Sequence, residues 1–269
     1  MKIQHDFHIH TNLSVCAKRE ATLEGYIEAG KKLGLKKMGF SDHFWDESIP
    51  FSCNNKGIDF YSKQGYEHVL SIKDRIKKLT SPDLQLYFGC EVEYAHGIKA
   101  PAISEAVAEQ FDFIIVPNSH THLAMDEKFY QPYSKHAEYM LDAYESIVTS
   151  PLAKYVTAVA HPFEAVCCPY PRNLLFRLIS DDSFKRVFSK TADAGIAVEI
   201  NLECLLQAME SPEEWEQRLR MINIAKSMGC KFLFGSDAHS HLHFENLQVG
   251  SRISEALSIG ESDIADICK

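Results

Sequence analysis

At 269 residues, 45% hydrophobic and 24% charged, the chain has apolar material for one large core, and its length suits a single α/β barrel. The formal net charge is −9 and no basic tract runs longer than Lys36-Lys37 or Lys77-Lys78. That excludes an extended nucleic-acid surface but leaves room for a local pocket taking one phosphate. No apolar stretch approaches membrane-spanning length, and Met1-Lys2-Ile3-Gln4-His5-Asp6 leads into the first strand without a signal-peptide pattern, so a cytoplasmic protein with no membrane association is expected.

The first strand is expected over Ile3–His8 and runs out into His8-Ile9-His10. A helix over Leu23–Leu33 follows, then a strand over Lys37–Ser41 ending in Asp42-His43. An insertion, Phe44–Asp59, holds Trp45, Pro50, Phe51 and Cys53 ahead of a helix over Ser62–Leu79. The third strand, Leu84–Val92, carries Glu91 near its end, with Glu93 on the same face as a competing candidate. A helix over Ile103–Glu109 leads to a strand over Phe113–Pro117. After it come His120-Thr121-His122 and a second insertion, Leu123–Tyr133, containing Asp126, Tyr130 and Tyr133.

A helix over Ser134–Ser150 precedes a strand over Tyr155–Ala160 that ends in His161-Pro162. A helix over Asn173–Ala194, a strand over Ile196–Leu202 and a helix over Pro212–Met228 come next. Ser211-Pro212-Glu213-Glu214 is a helix start, and Ala194-Gly195 and Met228-Gly229 are helix stops. The last strand, Lys231–Ser236, runs into Asp237-Ala238-His239, and a final helix lies near Asn246–Leu257. Seven strands too apolar to be half-exposed, alternating with helices, predict a parallel sheet covered by helices. No linker, repeat or composition shift divides the chain, so one domain over residues 1–269 is expected.

In a closed parallel barrel every C-terminal strand end opens on one face, and the His, Asp and Glu motifs all sit at such ends. Each motif alone is weak; together they predict a polynuclear metal centre. Imidazole nitrogens and carboxylate oxygens suit Zn²⁺, Mn²⁺ or Fe²⁺, and burying such a cluster is unfavourable unless cations neutralise it. His8-x-His10 places both imidazoles on one face of an extended strand, and Asp237-x-His239 repeats that spacing after the last one. His5, His68, His96, His136, His241 and His243 have no strand-end position and are read as structural or surface groups. The eight cysteines, at 16, 53, 90, 167, 168, 204, 230 and 268, lack the spacing of a disulfide framework or zinc knuckle and are read as reduced thiols.

At these residues the chain resembles the PHP (polymerase and histidinol phosphatase) superfamily of metal-dependent phosphoesterases. The matching pieces are Asp6-Phe7-His8-Ile9-His10-Thr11, Gly39-Phe40-Ser41-Asp42-His43, Gly89-Cys90-Glu91-Val92-Glu93-Tyr94, the His120 region, Ala160-His161-Pro162 and Gly235-Ser236-Asp237-Ala238-His239. They span nearly the whole chain, and the Phe-Ser-Asp-His and Glu-Val-Glu-Tyr wording is most similar to the stand-alone histidinol-phosphate phosphatases. The resemblance implies a distorted TIM-like (β/α)7 barrel and two or three divalent transition metals (Zn, Mn or Fe). One would be held by His8, His10, Glu91 and Asp237, and Glu91 would bridge to a second held by His120 and His161, with His122 as an alternative ligand.

A third metal would use His43, His239 and a ligand from the loop after His10. Many family members have a histidine there; this chain has Cys16, so either the thiolate ligates or the third site is weak or empty. The implied chemistry is attack of a metal-activated hydroxide on a small phosphomonoester, histidinol phosphate being the named substrate. Arg19 or Arg172, with Lys18 next, would clamp the phosphate, and Asp237 and whichever of His43 and His239 is not engaged by metal would complete the catalytic set. The alternatives are a phosphodiesterase or a nucleotide or sugar phosphatase of the same fold, a non-catalytic metal-binding module, and an amidohydrolase-type barrel. The last normally brings a strand-end lysine, absent here. The sequence sets no oligomeric state.

Overall fold

Short apolar runs pair side by side in one parallel order in the computed structural model, which describes residues 1–79, 83–165, 172–244 and 246–269, without the side chain of His243. The strands are β1 (His5–Asp6), β2 (Lys37–Phe40), β3 (His43–Phe44), β4 (Gln85–Val92), β5 (Tyr94–Ala95), β6 (Ala100–Pro101), β7 (Phe113–Pro117), β8 (Ala158–Ala160), β9 (Ala197–Asn201) and β10 (Lys231–Gly235). The sheet order is β1-β2-β4-β7-β8-β9-β10, parallel throughout, with β3 pairing β4 beyond the end of β2 and β5-β6 forming a separate antiparallel pair. Main-chain bonds from Phe7 N to Phe234 O (3.2 Å), Asp237 N to His8 O (2.9 Å) and His10 N to Ala238 O (3.0 Å) bring the last strand beside the first. The result is a distorted (β/α)7 barrel.

The interior is an apolar plug of Phe7, Phe113, Ile115, Ala158, Ala160, Ala197 and Leu233. Phe7 meets Phe113 edge-on at 5.1 Å between ring centroids. Room for the Phe113 ring comes from Gly39 and Gly89, where an added Cβ would lie 2.5 and 2.2 Å from it. At the N-terminal end Ala265, Ile267 and Cys268 pack under this plug, and Lys37 Nζ donates to Ile267 O at 2.9 Å. That end is closed, so the opposite rim is where the loops can build a site.

The helix over Leu23–Leu33, capped by the Thr22 hydroxyl on Gly25 N, and the strand Phe113–Pro117 have the expected bounds. Elsewhere the structure departs from the reading. The first strand pairs in ladder fashion with β2 only at His5–Asp6; residues 7–10 bond to the last strand, while Ile9 O also accepts from Ser41 N at 2.9 Å. Residues Ala153–Tyr155 form a 3-10 turn, which shortens the fifth strand to Ala158–Ala160. The helix expected over Asn173–Ala194 is two helices, Arg172–Leu178 and Asp181–Asp193, because Ser180 is extended and its hydroxyl caps Ser183 N. The Phe44–Asp59 insertion is not all loop: it opens with β3 and ends in a helix, Asn55–Tyr61, started by Asn54 accepting from Gly57 N. The six described cysteines are free; Cys167 and Cys168 lie outside the described residues. No helix among the described residues is long and apolar enough to cross a membrane.

Candidate metal centre

Glu91, near the end of β4, has a carboxylate enclosed by imidazoles. Oε2 lies 2.9 Å from His43 Nδ1 and 3.5 Å from both His8 Nε2 and His10 Nε2; Oε1 lies 3.0 Å from His161 Nε2 and 3.7 Å from His120 Nε2. Asp237 Oδ1 closes the other side at 3.4 Å from His8 Nε2 and 3.3 Å from His10 Nε2. Two ligand candidates leave their strands with left-handed backbone, His161 at φ 25° and Asp237 at φ 55°. Such conformations are strained for non-glycine residues and are found where a site demands a particular side-chain direction.

The donor atoms fall into four overlapping groups, each within 4.8 Å: His8, His161 and Asp237; His8, His10 and Glu91; His43, Glu91 and His120; and His10, Cys16, His43 and His239. The last brings Cys16 from the loop after β1 against the two imidazoles expected beside it. His122, two residues past His120 in the short helix Thr121–Ala124, joins none of these groups.

Two pairs inside the cluster are hydrogen-bonded, His161 Nε2 to Glu91 Oε1 at 3.0 Å and His8 Nε2 with His10 Nε2 at 3.1 Å, but other donor atoms have no such partner. His43 Nδ1 and Glu91 Oε2 are close yet misaligned, and both, together with His10 Nδ1, are buried without a hydrogen-bond partner. Buried polar atoms are seldom left so. Burial pushes the Glu91 carboxyl up, but His120, His43 and His8 outweigh that and hold it well below the usual carboxylate range. Asp237 is held down likewise, burial being outweighed by His8, His10 and His239. His8, depressed by burial, is raised well above its ordinary value by Glu199, Asp237 and Glu91, whereas burial and the neighbouring His239 and His43 push His10 well down. Burial raises the Cys16 thiol, but His43 and His239 bring it down to about 6. A buried set of nitrogen, oxygen and thiolate-prone sulfur donors fits divalent transition ions.

Supporting residues surround these donors, and of them Glu199, Ser119 and Asn201 escaped the sequence reading. Glu93, the competitor of Glu91, points away from the centre: Oε2 accepts from Tyr61 Oη and lies 3.1 Å from His120 Nδ1, and Oε1 accepts from Tyr94 N. Glu199, in the middle of β9, reaches His8 Nδ1 at 2.7 Å and His161 N at 2.5 Å. A carboxylate inside an apolar strand was a signal open to the same argument used for Glu91. Ser119 Oγ backs His161 Nδ1 at 2.5 Å, and Asn201 Nδ2 donates to Asp237 Oδ2 at 3.2 Å. Asp42 clamps the loop after β1, accepting from Thr11 N and Thr11 Oγ1.

Of the candidate phosphate clamps, Lys18 and Arg19 are exposed on the same loop, where Lys18 N donates to His239 O. Arg172 is engaged, with Nη1 3.6 Å from Glu164 and Nη2 donating to Gln207. His5 Nε2 accepts from Phe234 N, His136 is buried in the helix Tyr133–Thr149, and His68 lies 3.5 Å from Asp42.

Residues 6–202 match the PHP domain family. Among curated proteins no sequence matches the chain significantly. Among solved structures, a histidinol phosphate phosphatase from Lactococcus lactis subsp. lactis Il1403, complexed with zinc, L-histidinol and phosphate, superposes with a TM-score of 0.63 at 14% identity, over 97% of this chain and 95% of that one. A Listeria monocytogenes protein assigned as the histidinol phosphatase hisK superposes with a TM-score of 0.66 at 12% identity, over 89% of this chain and 96% of the other. At such identities the likeness is one of fold.

Proposed function

The chain belongs to the PHP domain family, and on that premise we propose that it hydrolyses a small phosphomonoester, with histidinol phosphate as the first substrate to test. The observation that carries the reading is the Glu91 carboxylate, ringed by five imidazoles with Oε2 left without a hydrogen bond. His8, His10, Glu91 and Asp237 would hold one ion. Glu91 would be shared with a second held by His120 and His161, both close to its Oε1, and His43, His239 and Cys16, with His10 adjoining, would hold a third. When bound, such ions supply an activated water nucleophile and neutralise the phosphoryl oxygens.

The chain's own residues do the rest. Arg19, which makes no hydrogen bond or ion pair with the described residues and follows Lys18, whose N donates to His239 O, would clamp the phosphate; Arg172 would first have to leave Glu164. His239 is depressed by burial but raised to about 9 by Cys16 and Asp237, so it carries a proton at neutral pH when no ion is bound. With 31% of its side chain exposed, against 7% for His43, it is the imidazole a leaving alkoxide can reach when it is not engaged as a ligand. Purified protein reconstituted with Mn²⁺, Zn²⁺ or Fe²⁺ is expected to release phosphate from histidinol phosphate or a related small monoester in a metabolite panel, and a chelator is expected to abolish it. A protein that holds two ions and hydrolyses no phosphomonoester would overturn the proposal.

A further inference from the structure

Glu199 is a fully buried carboxylate with two different tasks. Its Oε1 accepts from His8 Nδ1 at 2.7 Å, and its Oε2 accepts from the main-chain N–H of His161 at 2.5 Å. The first bond commits the Nδ1 side of the His8 ring, so Nε2 faces His10 Nε2 at 3.1 Å, Asp237 Oδ1 at 3.4 Å and Glu91 Oε2 at 3.5 Å. The second holds His161 in its left-handed conformation, φ 25°, with Nε2 3.0 Å from Glu91 Oε1. The approach depends on Gly235, since a Cβ there would lie 2.0 Å from Glu199 Oε1 and 2.5 Å from His8 Cβ. Both bonds run to residues that approach the Glu91 carboxylate, His8 at Oε2 (3.5 Å) and His161 at Oε1 (3.0 Å).

We infer that Glu199 is a positioning residue of the metal centre, fixing the ring orientation of His8 and the backbone of His161 so that ligands of two neighbouring ions are set by one carboxylate. A histidine that gives one ring N–H to a carboxylate presents its other nitrogen as a more basic, pre-oriented ligand. The inference rests on the metal-centre reading above. Glu199→Gln keeps the volume but removes the charge, and its amide can donate to His8 Nδ1, which would place the ring proton on Nε2, facing Glu91 and Asp237.

The test is Zn²⁺ affinity by chelator competition, alongside the melting temperature of the metal-free protein and the imidazole N–H signals of ¹⁵N-labelled, Zn²⁺-loaded protein. Glu199→Gln is expected to stay folded without metal, bind Zn²⁺ about ten- to a hundredfold more weakly, and lose the hydrogen-bonded His8 Nδ1–H signal. Glu199→Asp, which keeps the charge but withdraws it by one methylene, should fall between the two and serves alone should Glu199→Gln not fold. A variant that is less stable without metal but keeps the wild-type Zn²⁺ affinity and His8 signal would overturn the inference. Failure of the wild-type protein itself to bind Zn²⁺ would instead sink the metal-centre reading.

Discussion

Replacing Glu91 by Gln removes one negative charge from a space where the nearest nitrogens of His43, His161, His8, His10 and His120 stand 2.9 to 3.7 Å away, with little change in volume. In the native protein Glu91 is ionised at neutral pH, because His120, His43 and His8 hold its pKa well below the usual range against the effect of burial. At an effective dielectric of about 20, a unit charge pair at roughly 3.5 Å is worth about 5 kcal/mol. The amide oxygen and water recover part of that attraction for a bound cation, leaving a net loss of about 4 kcal/mol, or three powers of ten at about 1.4 kcal/mol each. We therefore expect Glu91→Gln to lose at least one ion per chain by elemental analysis, and kcat/KM for phosphate release to fall about 10³-fold or more, with an unchanged circular-dichroism spectrum. A Gln variant that keeps two ions and works within about tenfold of wild type would refute the role of Glu91 as the shared ligand.

Arg218→Met should destabilise the fold by about 3–5 kcal/mol in urea titration, because it strands Glu164 without the buried guanidinium that grips it at 3.1 and 2.8 Å and lies 4.5 Å over Phe176. A loss below about 1 kcal/mol would mean that Arg172, 3.6 Å from Glu164, takes over the charge. His5 is depressed from 6.5 to about 4, chiefly by burial and then by Lys37, so it is neutral in the folded protein and charged in the unfolded chain between those values. Its contribution is full above pH 6.5 and is lost as the pH falls toward 4, by about 3 kcal/mol; His5→Gln should flatten that slope, and an equal slope in wild type and variant would contradict the assignment. Cys16→Ser should lower the occupancy of one ion and leave the Glu91-shared pair in place, while Cys16→His should restore it with a preference shifted from Zn²⁺ toward Mn²⁺ or Fe²⁺. Unchanged metal content and activity in both would rule the thiol out as a ligand.

Much of this protein is written in local pattern. An apolar run that ends in His, Asp or Glu needs no tertiary knowledge to be read as a buried strand with its polar end at a site, and seven apolar runs, six of them with such an end, separated by helices predict a parallel sheet covered by helices. Only the folded chain decides which of two residues at the same spacing faces the centre. Glu91 and Glu93 share a strand face by period, and the choice is made by Tyr61, arriving from the Phe44–Asp59 insertion to bind Glu93, and by His120, whose Nδ1 meets the same carboxylate. The helical turn at Thr121–Ala124 separates His120 from His122 in the same way. Glu199 lay in plain view inside β9, but its purpose depends on His8, 191 positions earlier, and on the space left at Gly235. The direction of a side chain past the end of a strand is set by partners remote in sequence, whereas burial and periodicity are set by neighbours along it.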